Sequence, residues 1–303
     1  MTPVSVLIPA YNAAATLARA LASVRAQAVG ALEIVVVDDG SRDETVAIAR
    51  ANGVEPLVLP RNGGESVAMN AGVEAARHPL IAFLDADDEW MPGKLARQLP
   101  LHDAGIVFSC TGHIEVDDGG RVIDSAGLAP LPFAGREFWR NLLERSVVAK
   151  PSVIARRDAL LAAGLFDPRQ AVAADQDMWL RLAMTGPVAH CPEPLLHVHA
   201  VEGSLMGRHA RPDLAFTIPM IERALAALGD RLTPEEKRRV LGRRWSNAAR
   251  NLAGAGDWPM ALGAALTARR LGVARGGDWS AIAAALPIVR KLRARLPASR
   301  RAR

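Results

Sequence analysis

The sequence predicts an α/β fold whose mostly parallel sheet is flanked by helices. Short apolar runs rich in β-branched residues alternate with amphipathic helical patterns, and most runs end in a polar turn. Strands joined through helices form βαβ units, in which neighbouring strands run parallel. The 303 residues, half of them hydrophobic, are enough for one large domain with an appendage.

Strands and helices alternate through the first part of the chain. The predicted strands cover residues 4–9, 34–37, 54–59 and 80–84. The predicted helices cover residues 13–27, 41–50 and 66–77. Ser41 and Glu44 have the spacing of a capping box and are expected to open the second of these helices.

The middle of the chain is less regular. Its predicted elements are strands over residues 105–110, 113–116 and 195–198, helices over 136–144 and 175–185, and a partly extended segment over 147–154. From residue 211 onward, Ala- and Arg-rich segments broken at glycines predict helices alone. We therefore expect one domain over residues 1–210 and a helical C-terminal region with a basic tail over residues 211–303.

Charge and targeting signals narrow the classes of function. The formal net charge is +5, and residues 287–303 carry seven Lys or Arg residues and no acid. Such a tail suits an anionic membrane surface or is a solvated end, and the lack of interleaved aromatic residues argues against nucleic acid. There is no signal-peptide pattern and no apolar run of 18 residues. We expect a cytoplasmic protein with peripheral contact at the inner membrane surface as an option.

Three carboxylates follow the fourth predicted strand directly. Residues 83–90 read F-L-D-A-D-D-E-W, which places Asp85, Asp87 and Asp88 together. Crowded carboxylates repel one another unless a cation lies among them, and hard oxygen donors suit Mg²⁺ or Mn²⁺ bound with substrate phosphates. Ligands of open α/β sheets bind at this edge. The first βα turn lacks glycine and a P-loop is absent, so a metal is expected to hold the phosphates. The alternative is a solvated acidic turn.

Five segments, in this order, resemble the motifs of family 2 glycosyltransferases. They are V-S-V-L-I-P-A-Y-N over residues 4–12, V-V-V-D-D-G-S over 35–41, G-G at 63–64 with N-A-G over 70–72, F-L-D-A-D-D over 83–88, and D-Q-D-M-W-L-R over 175–181. The resemblance covers roughly residues 4–205 and rests on order and spacing. It implies the GT-A fold, with a Rossmann-like sheet, and a helical C-terminal extension.

The resemblance also implies a nucleotide-sugar donor, with UDP favoured, and a site for it. Asp39 resembles the acceptor for the uracil N3–H, and Pro9 and Tyr11 would line the same pocket. Asn70 belongs to the motif on the donor side, and Asp85 would contact the ribose or a metal-bound water. A turn and helix cap is the alternative reading of the segment that contains Asp39.

The implied cofactor is Mn²⁺ or Mg²⁺, with Asp87 as the direct ligand and Asp85 beside it. His199 is a further candidate ligand because some relatives use a histidine of the corresponding late strand; a packed histidine is the alternative. The sequence departs from the family at two places. His197 and Met69 stand where relatives commonly have arginine. The consequence is lower affinity for the nucleotide, a different nucleotide, or compensation by Arg61 or Arg208.

Asp175 is the implied general base, although Ala174 replaces the acidic residue that usually precedes it. Asp175 and Trp179 are four residues apart, so they share a helical face, and Trp179 is expected to wall the acceptor pocket. Asp177 and Arg181 have ion-pair spacing. A plain helix cap is the alternative role of Asp175.

The predicted reaction is inverting transfer of a sugar to a hydroxyl of a glycan or lipid-linked acceptor. Two alternatives stay open at this point. One is a non-catalytic protein that binds sugar nucleotides or acts as a scaffold. The other, a nucleotidyltransferase, lacks its Gly-rich amino-terminal signature here.

Overall fold

The computed structural model describes residues 2–30, 32–117, 119–125, 131–170, 172–200 and 213–272. The chain divides into two compact units, Met1–Ser204 and Leu205–Arg303. The domain boundary predicted near residue 210, the predicted cation Arg208 and the basic tail over residues 287–303 all lie outside the described residues. The predicted division into a catalytic domain and a helical region stays a prediction.

The first unit is built on one sheet. Its strands are β1 Val4–Ala10, β2 Leu32–Asp38, β3 Leu57–Val58, β4 Leu80–Phe83, β5 Glu89–Trp90, β6 Phe108–Val116, β7 Val122–Asp124, β8 Ile154–Arg156 and β9 Val188–His199. Its α-helices are α1 Leu17–Arg25, α2 Thr45–Ala51, α3 Glu65–Ala75, α4 Lys94–Gln98, α5 Trp139–Glu144, α6 Arg157–Ala162 and α7 Ala174–Thr185. Short 3₁₀ turns cover Leu99–Ala104 and Lys150–Ser152.

The strand order is β3-β2-β1-β4-β8-β6-β9-β5, and β7 pairs with β6 outside this path. The pairs β3–β2, β2–β1, β1–β4 and β6–β9 are parallel, whereas β8 is antiparallel to both β4 and β6. Six strands therefore run in one direction among those described: β1, β2, β3, β4, β6 and β9. The α/β prediction is confirmed as a mixed, mostly parallel sheet flanked by helices.

The core explains why β1 lies centrally in the parallel half. Val4, Val6 and Ile8 are fully buried, and they pack with Leu17 and Leu21 on the inner face of α1. Alternate residues of β1 face opposite sides of the sheet, and Leu7 on the opposite face is also fully buried. The buried polar residue of the strand, Ser5, donates its hydroxyl to the Glu33 carboxylate. The polar residues that can contact a ligand are thereby confined to the strand ends.

Four local predictions differ from the structure. The predicted capping box at Ser41 is wrong, because α2 begins at Thr45 and the Ser41 hydroxyl accepts the backbone N–H of Asn12 at 2.9 Å. The predicted third strand shortens to two residues. The two strands predicted over residues 105–116 are one strand, β6, with irregular pairing to β9 around Gly112. The late strand begins seven residues earlier than predicted, at Val188.

In the second unit the described residues are helical, as predicted. After a π-helical turn at Asp213–Thr217 come α8 Ile218–Ala227, α9 Pro234–Gly254 and α10 Trp258–Arg270. Thr233 and Glu236 form a capping box that starts α9. Small residues let α9 and α10 pack closely, with Ala249 and Ala253 of α9 buried against Ala261 and Ala265 of α10. Among the described residues no helix combines the length and the apolar character that crossing a bilayer requires.

Candidate active site

A carboxylate cluster lies directly after β4. Asp85, Asp87 and Asp88 each offer an oxygen, and these atoms all lie within 4.8 Å of one another. Asp88 is 3% exposed, and its Oδ1 accepts the backbone N–H of His199 at 3.0 Å. This bond joins the turn after β4 to the end of β9. The sequence motif therefore folds into one compact group of oxygen donors.

The donor set fits a hard divalent cation. Carboxylate oxygens are the ligands that Mg²⁺ and Mn²⁺ prefer, and like charges at this separation favour a cation among them. Both ring nitrogens of His199 are buried and lack a hydrogen-bond partner within the described part of the chain. The Nε2 atom lies 3.6 Å from Glu89 Oε2. Burial and the nearby Arg19 lower the pKa of His199, which favours the neutral form that binds metals. His199 is not part of the group of ligand atoms formed by Asp85, Asp87 and Asp88. Metal ligation by Asp85 and Asp87, and by His199, stays a prediction.

Lys150 is the functional residue that the sequence analysis missed. Its side chain is 5% exposed, and its ammonium contacts the carboxylates of both Glu65 and Asp85. The only sequence signal is a lysine inside the apolar segment over residues 146–155, which is unusual because lysine is seldom buried without a partner. Lys150 thus connects the carboxylate cluster to the start of α3.

Burial and charge shift the pKa values of this group in opposite directions. The Lys150 ammonium lowers the pKa of Glu65. Burial lowers the pKa of Lys150, but its contacts with Asp85 and Glu65 outweigh that effect and raise it above the usual range. Burial and the charges of Glu65 and Asp87 raise the pKa of Asp85 to about 7, against the opposing pull of Lys150. Lys150 therefore does not fully compensate the burial of the Asp85 carboxylate and the charges around it, which favours either a proton or a cation beside Asp85.

Asp175 lies at the start of α7 and faces a cavity of about 130 Å³. Residues 63–66 line one side of this cavity, and Pro168, Gln170 and residues 172–175 line the other. The helix is capped by Ala173 in a left-handed conformation, with φ of 58°, so Asp175 is in the first turn and is not the cap. Burial and the charge of Glu65 raise the pKa of Asp175, which makes its carboxylate a stronger base.

Trp179 does not wall the cavity, and that prediction is wrong. Its side chain is fully buried in an aromatic cluster, with ring centroids 5.4 Å from Phe83, 5.7 Å from Phe108 and 5.8 Å from Phe166. Phe83 lies two residues before Asp85, so the aromatic cluster fixes α7 against the strand that precedes the carboxylates.

The ion pair predicted one turn along α7 is confirmed, with Arg181 Nε 2.8 Å from the Asp177 carboxylate.

The residues predicted to bind the nucleotide are partly engaged within the protein. Asp39 is 3% exposed, and its two oxygens accept the backbone N–H groups of Gly63 and Gly64, each at 2.8 Å. Tyr11 is 46% exposed at the end of β1, and Pro9 is partly buried. Asp39 thus shapes the glycine turn that lines the cavity. The predicted nucleotide contacts of these residues stay predictions.

Asn70 holds two segments of the site together. Its side-chain amide donates to the Phe166 carbonyl at 2.8 Å and accepts the Phe166 N–H at 2.9 Å. These bonds fix the segment that leads to the cavity-lining residues before α7. Because both polar groups of the amide are used, the structure gives Asn70 a positioning role, and its predicted nucleotide contact stays a prediction.

Arg19 is a second cation, besides Lys150, that the structure brings to the carboxylate cluster. Its guanidinium donates to the backbone carbonyl of Asp87 at 2.5 Å.

Two positions where relatives commonly have arginine hold other residues here. Met69 is fully buried in α3, and His197 of β9 lies opposite Glu89 of β5 in the strand register. Arg61, the compensating cation predicted from the sequence, is exposed on the turn before Gly63. Its predicted role stays a prediction.

The chain matches a family profile and several curated proteins. The glycosyl transferase family 2 profile matches residues 5–160. The chain is 32% identical over 260 residues to the succinoglycan biosynthesis protein ExoU of Rhizobium meliloti, which covers 79% of this chain and 73% of that protein. It is 38% identical over 130 residues to the uncharacterized glycosyltransferase alr2836 of Nostoc sp., which covers 41% of this chain and only 40% of that protein.

Solved structures share the fold. Staphylococcus aureus TarS in complex with UDP-GlcNAc superposes with a TM-score of 0.65 at 19% identity, covering 95% of this chain and 92% of that one. The mannosyltransferase PcManGT of Pyrobaculum calidifontis, in complex with GDP-Man and Mn²⁺, gives 0.61 at 19% identity, covering 96% and 83%. At these identities the likeness shows the fold alone, and it confirms the predicted GT-A fold.

Proposed function

The chain belongs to glycosyl transferase family 2, and from this premise we propose that it transfers a sugar from a nucleotide-diphosphate sugar to a hydroxyl group with inversion at the anomeric carbon. Its family makes it a glycosyltransferase by type. The donor, the metal, the acceptor and the stereochemistry are parts of this proposal. The donor, the metal and the general base are supported by residues of the first unit, and the acceptor by the comparison with relatives.

The donor site is proposed to lie at the carboxyl ends of β1, β2 and β4. Tyr11 is exposed there for stacking on a base, and Asp87 with Asp85 supplies the oxygen donors for Mn²⁺ or Mg²⁺. A bound cation would neutralise the leaving diphosphate as a Lewis acid, which is worth several kcal/mol in such sites. UDP is the proposed nucleotide and GDP the alternative, since similar structures were solved with UDP-GlcNAc and with GDP-Man.

Asp175 is the proposed general base. Asp175 lines the cavity, and its raised pKa makes the carboxylate a stronger base for removing a proton from a hydroxyl. As the acceptor oxygen bonds to the anomeric carbon, Asp175 takes the hydroxyl proton. The bond from that carbon to the diphosphate breaks on the opposite face, so the configuration inverts. Trp179 and Asn70 support this step by fixing the segments on which the base and the cavity wall lie.

The acceptor is proposed to be a glycan or a lipid-linked sugar of a polysaccharide pathway. ExoU, whose match covers 79% of this chain, is named for succinoglycan biosynthesis. A lipid-linked acceptor would bring the protein to the inner membrane surface, where the basic tail over residues 287–303 could bind anionic lipid. The cytoplasmic location and this peripheral contact stay predictions.

The observation that carries the proposal is that the carboxylate cluster and Asp175 interact electrostatically with the same two residues, Glu65 and Lys150. Lys150 contacts Asp85 of the cluster and Glu65 of the cavity wall, and both Glu65 and Lys150 influence the pKa of Asp175. A metal-binding cluster and a lone base therefore lie within electrostatic reach of each other. This arrangement suits a reaction in which a diphosphate leaves on one side while a proton is removed on the other.

The experiment is release of nucleoside diphosphate from a panel of UDP-, GDP- and dTDP-sugars, with Mn²⁺ and with chelator. The wild type is expected to release nucleoside diphosphate from only one kind of sugar nucleotide in the panel. Chelator or the Asp87→Ala substitution is expected to abolish this release. Asp103→Ala, on an exposed acid of the 3₁₀ turn Leu99–Ala104, is the matched control and should leave release unchanged. Release that persists in chelator at the wild-type rate would contradict the metal-assisted proposal.

A further inference from the structure

Gln170 is the second polar residue that lines the cavity on the Asp175 side. It is 7% exposed, and its Nε2 has no hydrogen-bond partner among the residues that the structure describes. Its backbone N–H donates to the Asp167 carbonyl at 3.0 Å, which closes the turn and holds the side chain in place. Most buried polar groups are paired, so an unpaired amide at a cavity indicates a missing partner.

We propose that Gln170 Nε2 donates a hydrogen bond to a hydroxyl of the transferred sugar. This proposal rests on the proposed function and assigns one specificity contact within it. An amide N–H needs an acceptor, and a hydroxyl oxygen offers two lone pairs. The cavity wall also carries the carboxylates of Asp175 and Glu65, which accept hydrogen bonds. A ligand for this cavity must present both donors and acceptors, as the hydroxyl groups of a sugar do.

Two parts of the cavity wall are bonded to the proposed donor side of the site. The wall at Gly63 and Gly64 is held by Asp39, and Glu65 is joined through Lys150 to Asp85. These residues connect the cavity to the end of β2 and to the carboxylate cluster. The occupant that this arrangement favours is the sugar of the donor, and an acceptor sugar is the alternative that the experiment separates.

Gln176 provides a matched control on the neighbouring helix. It is 3% exposed, of the same residue type, and its Nε2 donates to the Leu142 carbonyl at 3.1 Å. Removing a paired amide leaves the partner unsatisfied, whereas removing an unpaired one relieves its burial cost. Gln176→Leu is therefore expected to lower the melting temperature, and Gln170→Leu is expected to maintain or raise it.

The binding test compares each sugar nucleotide with its own diphosphate by calorimetry in Mn²⁺, with UDP-GlcNAc, UDP-glucose and GDP-mannose as probes. For the probe that the wild type prefers, Gln170→Leu should weaken sugar-nucleotide binding three- to tenfold and leave diphosphate binding unchanged. Gln176→Leu should change neither. Equal effects on both ligands, or no effect on either, would overturn the assignment of Gln170 to the donor sugar. An effect confined to the KM for an acceptor glycoside would also overturn it.

Failure of the proposed function has a different signature. A wild type that binds none of the three probes in Mn²⁺ would refute sugar-nucleotide binding itself, whatever Gln170 does. Suppose instead that the wild type binds a probe and that Gln170→Leu loses as much stability as Gln176→Leu does. That result would refute the claim that the Gln170 amide is unpaired, and would leave sugar-nucleotide binding by the protein intact.

Discussion

Lys150→Met is expected to change stability and metal affinity in opposite directions. The substitution removes a buried ammonium and leaves Glu65 and Asp85 without their shared partner. Breaking a buried ion pair costs about 3–5 kcal/mol. Glu65 is 56% exposed and can regain water, so we expect a smaller loss of about 1–3 kcal/mol in the free energy of unfolding.

Affinity for Mn²⁺ should rise in the same variant. Two unit charges 4 Å apart interact by about 1 kcal/mol in water-like surroundings and about 4 kcal/mol at an effective dielectric constant of 20. Asp85 is 26% exposed, so the lower part of that range applies, and removing one positive charge should strengthen binding about five- to thirtyfold. The assays are Mn²⁺ titration followed by electron paramagnetic resonance, and urea unfolding in chelator.

Lys94→Met is the control for the same chemical change at another buried lysine. Lys94 is fully buried, donates to Gln98 Oε1 at 2.7 Å and lies 4.2 Å from the Trp90 ring centre. Burial lowers the pKa of Lys94 to about 7, so it carries less charge than Lys150. Its replacement should leave Mn²⁺ affinity unchanged. The electrostatic account is refuted if Lys150→Met binds Mn²⁺ no more tightly than the wild type does.

Four further outcomes follow from the same geometry. Trp179→Ala removes a ring from the cluster around Phe83 and should cost about 3–5 kcal/mol of stability, measured by urea unfolding; a stable variant with only a raised acceptor KM would restore the pocket-wall role. Gly72→Ala would place a Cβ against the buried Leu7 side chain and should cost about 1–3 kcal/mol, whereas an unchanged melting temperature would show that α3 and β1 pack less tightly than described. Mn²⁺ affinity should fall roughly tenfold between pH 8 and pH 6, because a proton competes for Asp85, whose pKa is about 7; a flat titration would contradict this. In chelator, the folded state retains that proton between about pH 4 and pH 7 while the unfolded chain has lost it, so Asp85 should make unfolding easier as pH rises through this window.

The sequence predicted features that depend on local pattern. The apolar runs of β1 and β4 could be predicted because almost every residue in them is buried. The run of β2 could be predicted from its β-branched residues, although the first four residues of the strand are only partly buried. The carboxylates after β4 could be predicted because they are adjacent in the sequence. Helix α7 was also predictable, since its polar first turn is followed by an apolar stripe.

Features that depend on distant partners were not predictable in the same way. Ser41 has capping-box spacing, but the parallel pairing of β1 and β2 brings Asn12 to its hydroxyl, and the long-range bond prevails. Lys150 contacts Glu65, 85 residues away in the chain, so no local spacing reveals the pair. Trp179 shares a face with Asp175 along α7, yet packing against β4 and β6 buries one residue while the other stays at the open first turn.

The central claim is that Asp175 removes the acceptor proton while other residues bind the donor. The most direct measurement compares sugar-nucleotide affinity and turnover for the wild type, Asp175→Asn and the control Asp177→Asn, whose carboxylate pairs with Arg181. The account predicts that Asp175→Asn binds the donor within about threefold of the wild type and loses at least about a hundredfold in turnover. Asp177→Asn should lose stability and retain turnover. Wild-type turnover in Asp175→Asn would contradict the account.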